Sequence, residues 1–265
     1  IEEDLGGADT TLVAAPGTAD GHTLTGCKVN VPYAAAADAL LVSVIGPEGP
    51  AVVVVDTDQP GVIITATPST GLTPIAQIDF TDVPVDDDHI LTGGGATVTA
   101  LGDRMALAIC ADQRGVVERA LELTAEYARE REQFGKPIGS FQAVAQRLAD
   151  GYIDVQGLAL TTTQATWLLA RSDDADPSGA DTDTTDSDRT DPGELDIAVA
   201  TAKFWAAQAG HRVAHTAVHV HGGVGLDTSH PVHRYFLRAK QNEFSVGSAP
   251  ITLRRIGAAL AARPV

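Results

Sequence analysis

Apolar and polar positions change their period once along this chain. Over residues 10 to 91 the apolar positions fall in short runs rich in Val, Ile and Thr, at 39–44, 51–55 and 62–67, with Gly, Pro and Asp between them. β-branched side chains suit a pleated surface and turn formers punctuate it, so strands are expected here, making up a small β domain over residues 1–96. From about Thr97 the spacing becomes helical: Ile109, Val116, Ala120, Leu123 and Tyr127 are separated by seven, four, three and four residues, the pattern of one buried helix face. That helix should end just before Arg131. A second is expected from 141 to about 171. A third is marked by Leu195, Val199, Ala202, Ala206, Ala209 and Val213, at alternating spacings of four and three. Together these predict a helical bundle over 97–265.

Between the second and third helices, residues 172–192 hold eight aspartates against the single Arg189, with Pro, Gly, Ser and Thr between them. Such a run cannot bury apolar surface, and a mobile, solvated acidic loop is expected. The 265 residues carry a net charge of −17, which disfavours nucleic acid as a partner because its phosphates would be repelled. Two cysteines, Cys27 and Cys110, are too few for a disulfide framework, and no apolar run approaches the roughly 20 residues of a membrane span. A cytoplasmic protein without a membrane partner is expected.

An acidic chain can still bind an anion where a fixed cation and backbone N–H groups outweigh the overall field. Arg131 is the best candidate, since a guanidinium offers a planar fork of donors to phosphate oxygens and keeps its charge. It opens the run Arg131-Glu132-Gln133-Phe134-Gly135-Lys136-Pro137-Ile138-Gly139-Ser140-Phe141-Gln142. Downstream, His221-Gly222-Gly223-Val224-Gly225 precedes His230-Pro231-Val232-His233-Arg234-Tyr235, and adjacent glycines let a backbone approach a dinucleotide closely. His211, His215 and His219 recur every four residues, a spacing open to zinc, but no third ligand is indicated and no metal is expected.

These motifs resemble the flavin-binding signature of acyl-CoA dehydrogenases. Gly26-Cys27-Lys28, Ala37-Asp38 and Phe80-Thr81-Asp82-Val83-Pro84-Val85 extend the likeness to nearly the whole chain. The resemblance implies an α+β fold: a small antiparallel β domain followed by an up-down four-helix bundle, with the family's N-terminal helical domain absent or truncated. It implies FAD bound across a subunit interface, with Arg131, Phe134, Gln142, His219, Gly222 and Gly223 holding the ADP half for a neighbouring subunit. It also implies an acyl-CoA substrate and a homologous subunit as partner in a hetero- or homo-tetramer.

The likeness breaks at the catalytic base. Aligning Arg238-Ala239-Lys240 and Gly247-Ser248 with the family places Val246 where the proton-abstracting glutamate usually stands, and the alternative position used by some members falls on Met105. Neither side chain accepts a proton. Asn30-Val31-Pro32 and Ile1-Glu2-Glu3 also depart from the segments that face the flavin. A non-catalytic subunit is therefore expected, similar to those of heteromeric actinobacterial enzymes that dehydrogenate steroid side-chain thioesters. Two alternatives stay open. One is a self-sufficient homotetramer using Glu243 or another carboxylate, although pairing of Glu243 with Lys240 or Arg254 explains that residue more cheaply. The other is a truncated scaffold without flavin.

Overall fold

A computed structural model describes residues 10–14, 21–174 and 191–262. Most of the acidic segment 172–192, and Ile1 to Glu3, lie outside the described residues. The chain divides into two compact units, 1–104 and 105–265.

In the first unit six strands form one sheet in the order β4-β3-β1-β2-β6-β5. They are β1 (Thr10–Ala14), β2 (Gly21–Pro32), β3 (Ala39–Gly46), β4 (Gly49–Asp56), β5 (Val62–Thr67) and β6 (Ile75–Asp86). The expected runs at 39–44, 51–55 and 62–67 are β3, β4 and β5. Antiparallel pairing holds for β1–β2, β2–β6, β3–β4 and β5–β6, but β1 and β3 pair in parallel at Thr11 and Ile45. The sheet is therefore mixed. β3 reverses direction after β2 and returns to the far side of β1, where it must run the same way as β1. Leu24, Val42, Val44, Val53, Val55, Ile78, Phe80, Val83 and Val85 form this unit's core.

The second unit holds helix α1 (Gly95–Glu130) from residue 105 onward, with α2 (Gln142–Asp174), α3 (Pro192–His221), α4 (Val232–Phe244) and α5 (Ala249–Ala261). The first turn of α3 is fixed by Asp191, whose carboxylate accepts from the Gly193 N–H at 2.9 Å, with Pro192 as the first helical residue. Small residues line the inner face of α3: Ala198, Ala202, Ala206, Ala209 and Ala217 are all buried. They allow close approach of Val117 and Ala120 from α1 and of Val155 and Leu158 from α2. Among the described residues, no helix is long and apolar enough to cross a membrane.

The buried face of α1 is rotated from the expected one. Ile109, Leu123 and Tyr127 are only half-buried, whereas Asp103, Gln113 and Thr124 are buried beside Cys110, Val117 and Ala120. Polar residues on the true face hid it, and protein groups accommodate two of them. Thr124 donates to Ala120 O at 2.6 Å. Gln113 donates to Ala206 O at 3.1 Å and to Ala239 O at 3.2 Å, and accepts from Asn242 at 3.1 Å, so one amide joins α1, α3 and α4.

Gly210 leaves the room this amide needs, since a Cβ there would stand 1.6 Å from the Gln113 nitrogen. Gly210→Ala is expected to expel the amide and destabilise the chain by about 1–3 kcal/mol, measured by urea unfolding. The double variant Gly210→Ala/Gln113→Ala should lose less than the sum of the two single changes, because both break one interaction.

Candidate functional site

Arg131 directly follows the last residue of α1, and its N–H donates to Tyr127 O at 2.8 Å, so the helix fixes where its side chain starts. Beyond it the chain makes a small hairpin, β7 (Glu132–Gln133) with β8 (Lys136–Pro137). The two turn residues between them, Phe134 at φ 55° and Gly135 at φ 76°, both lie at positive φ, as a primed two-residue hairpin turn requires. For a bulky residue such as Phe134 that backbone is strained. Its ring is 92% exposed and meets Phe141 edge-on at 6.1 Å, while Lys136 Nζ lies 4.4 Å from the Phe141 ring centre.

The hairpin is held against α1 from behind. Ile138 N–H donates to Arg131 O at 2.8 Å, and a Cβ on Gly139 would come within 2.9 Å of Ala128 O, so only glycine permits this approach. The Arg131 guanidinium is exposed and has no hydrogen-bond or ion-pair partner among the described residues, its neighbours Glu130 and Glu132 included. Gln142 is exposed at the first position of α2.

The second motif meets the first through an aromatic contact. Tyr127 stacks on His221 at 4.3 Å, one turn before Arg131 and one residue before Gly222. His221 is almost fully buried, its Nδ1 donates to Ala217 O at 2.8 Å, and the His230 ring lies 5.1 Å away. Burial is the main cause of its lowered pKa, which keeps this imidazole neutral at physiological pH. α3 ends at Gly222, φ 64°, whose N–H donates to the carbonyls of His219 and Val218. His219 is exposed on the last turn. Nothing lies within 4 Å of a Cβ built on Gly222 or on Gly223, so the space that glycine leaves there opens outward.

A free guanidinium, one exposed and one half-buried phenyl ring and an open glycine pair fit the diphosphate and adenosine half of a dinucleotide such as FAD. The Tyr127–His221 stack was not legible in the sequence, because nothing in the pattern shows that His221 is buried while His219 is not.

The other group of expected residues is organised differently. Lys203, on α3, is 1% exposed, and its Nζ donates to Gly247 O at 2.6 Å and to Glu243 O at 3.3 Å, tying the end of α4 to the turn before α5. In that turn Val246 at φ 54° and Gly247 at φ 100° both adopt positive φ. A β-branched residue there is an outlier. Val246 is partly buried against the bundle core. Glu243 is bound to Lys240 at 2.5 Å and to His211 Nδ1 at 3.2 Å. Met105 is exposed. Among the described residues, no group of three or more His, Cys, Asp and Glu side chains is placed to hold a metal ion.

The chain is similar in sequence and fold to several known proteins. Residues 93–261 match the family model described as acyl-CoA dehydrogenase, C-terminal domain. The acyl-CoA dehydrogenase FadE27 of Mycobacterium tuberculosis is 52% identical over 252 residues, which cover 95% of this chain and 64% of that protein's length. The chain thus spans somewhat less than two thirds of that relative. Among solved structures, the ChsE4–ChsE5 complex from M. tuberculosis superposes with a TM-score of 0.85 at 48% identity, covering 99% of this chain and 65% of that one. The Tcur3481–Tcur3483 steroid acyl-CoA dehydrogenase G363A variant gives 0.81 at 35% identity, covering 97% and 63%.

The buried ammonium generates a pH test. Burial lowers the Lys203 pKa from 10.5 to about 8, while burial raises the Cys110 thiol from 9.0 to about 12. Above pH 8 the unfolded chain holds the lysine proton that the folded chain releases, so stability rises with pH. Above pH 9 the unfolded thiol ionises first and opposes the rise. Between pH 8 and 9 the unfolding free energy is expected to climb by about 1 kcal/mol. Lys203→Met should abolish that climb and cost about 1–3 kcal/mol at pH 7 through the two carbonyls left unpaired, both readable by denaturant titration at each pH.

Proposed function

The chain belongs to the acyl-CoA dehydrogenase family, and from that premise we propose that it is a subunit of an FAD-dependent enzyme that dehydrogenates an acyl-CoA thioester. It lacks the catalytic base, and it completes the FAD site of a homologous partner chain. The observation that carries this reading is the contrast between its two half-sites. The Arg131 hairpin and the Gly222-Gly223 turn present free, outward-facing binding groups. The turn at Val246, the position aligned with the family's glutamate, keeps a left-handed backbone but carries an aliphatic side chain.

Removing an α-proton from a thioester requires a carboxylate of suitable pKa in reach, and valine supplies none. FAD, when bound, would accept the β-hydride. This chain's residues would bind and orient: Arg131 neutralises the diphosphate, Phe134 and Phe141 flank it with apolar surface, and the glycine pair admits the nucleotide backbone. The partner would supply the base and the flavin pocket. The ion pairs of Glu243 with Lys240 and His211 weigh against Glu243 as a substitute base. The similarity to the ChsE4–ChsE5 complex, built of two different chains, supports a heteromeric assembly, and the steroid enzyme among the neighbours supports a bulky acyl group.

The chain purified alone is expected to form no enoyl-CoA with a dye acceptor, and to become part of an active yellow complex when co-expressed with its partner. Arg131→Ala should raise the dissociation constant of FAD from that complex by roughly 10- to 100-fold, the loss of one charge-assisted contact of about 1.5–3 kcal/mol. Turnover by the chain alone, or unchanged flavin retention in the variant, would contradict the proposal.

A further inference from the structure

Both motifs of the proposed nucleotide half-site follow directly on the C-terminal ends of long helices, Arg131 on α1 and Gly222 on α3. These helices run parallel. Gln113 meets Ala206, Val116 packs with Ala214 and Tyr127 stacks on His221, so advancing along one helix advances along the other, and both ends lie together. Helix C-termini carry partial negative charge, so two of them side by side repel a diphosphate. The Arg131 guanidinium offsets that repulsion only if it is held in register with the Gly222-Gly223 turn. It has no hydrogen-bond or ion-pair partner among the described residues, so its place is set through the backbone that carries it.

One buried ring fixes the two helix ends to each other. The His221 ring lies 4.3 Å from that of Tyr127 at an interplanar angle of 21°, and the Arg131 N–H donates to Tyr127 O at 2.8 Å, so the cation starts one turn from the stack. On its other side, a Cβ on Gly225 would come within 3.1 Å of the His221 Cβ and 2.9 Å of Val218 O, so the turn folds back onto this residue. Gly222 and Gly223, with nothing within 4 Å of a Cβ on either, are the span between those two anchored points. The His230 ring, 5.1 Å away, brings the segment before α4 onto the same imidazole. The His221 Nδ1–H donates to Ala217 O at 2.8 Å, which pins the ring to the last turns of α3. We propose that His221 is a positioning residue of the nucleotide half-site, whose stack on Tyr127 holds the Arg131 cation and the Gly222-Gly223 turn at the separation that one diphosphate spans. The inference rests on the reading of this chain as half of an FAD site, and adds to it a residue that acts only through its neighbours.

The test uses the complex co-expressed with the partner chain, with FAD retention read by flavin fluorescence on dilution and folding by circular dichroism. His221→Leu replaces the ring by a side chain of similar bulk and is expected to raise the FAD dissociation constant roughly tenfold, through the lost aromatic pair and the register it holds. In an Arg131→Ala background the same change should cost less than about twofold, because the guanidinium through which His221 acts is then gone. His221→Phe keeps the stack without the Nδ1 donor and should hold FAD within about twofold of the wild type. Tyr127→Leu removes the same contact from α1 and should reproduce His221→Leu. A purely structural role would lower the melting temperature in both backgrounds alike and leave the two losses multiplicative. Unchanged retention in a folded His221→Leu or Tyr127→Leu complex, full multiplication in the double variant, or a His221→Phe complex no better than His221→Leu overturns the inference. Weakened retention in Arg131→Ala without these effects leaves the half-site reading in place, whereas a complex that holds FAD equally well without Arg131 removes both.

Discussion

A single buried ammonium sets the geometry at one end of the helical unit. Lys203 serves two backbone carbonyls, at Glu243 and Gly247, that helix ends would otherwise leave unsatisfied. Its desolvation is costly, as the depressed pKa records, and the cost is offset only while both carbonyls stay in place. The turn containing Val246 is therefore held by the bundle and not by its own residues, which explains how a valine can occupy a left-handed backbone. Gln113 plays the same part between α1, α3 and α4, where a second long polar side chain replaces apolar packing. In a bundle whose central helix is largely alanine on its inner face, these two side chains supply the specificity that bulky apolar residues supply elsewhere.

The charge of the chain and the local chemistry of its surface point in different directions, and both are physical. At −17 the molecule as a whole repels an anion, yet Arg131 stands exposed at the mouth of a hairpin that also carries Lys136. Fields from distant carboxylates are screened over about 10 Å at moderate salt, so the nearest cations and N–H groups decide what binds.

The sequence disclosed the fold through its periodicities and the family through its motifs. The strands at 39–44, 51–55 and 62–67, the three long helices and the position of Arg131 just after α1 were all legible, because burial of one face imposes a regular spacing. The parallel β1–β3 pair was not, since pairing partners distant in sequence leave no local signal. The inner face of α1 was misread by a rotation about its axis, because Asp103, Gln113 and Thr124 look like solvent-facing residues until their partners are known. The role of Lys203 was hidden for the same reason: a lysine in an amphipathic stretch reads as surface. In the candidate site, an arginine after a helix and a pair of adjacent glycines marked the two motifs, and the roles of their residues came from the family resemblance alone, while the Tyr127–His221 stack that joins the motifs depends on a contact between helices far apart along the chain.

Phe134 adds a consequence for how the protein must be handled by the cell that makes it. A phenyl ring left almost wholly in water on a strained backbone, together with the exposed side chains of Ile153, Leu160 and Trp167 on α2, makes an unaccompanied copy adhesive. Synthesis in excess of whatever normally shields these surfaces would send the surplus to chaperones and proteases. Matched dosage, rather than raw abundance, is then the quantity under selection.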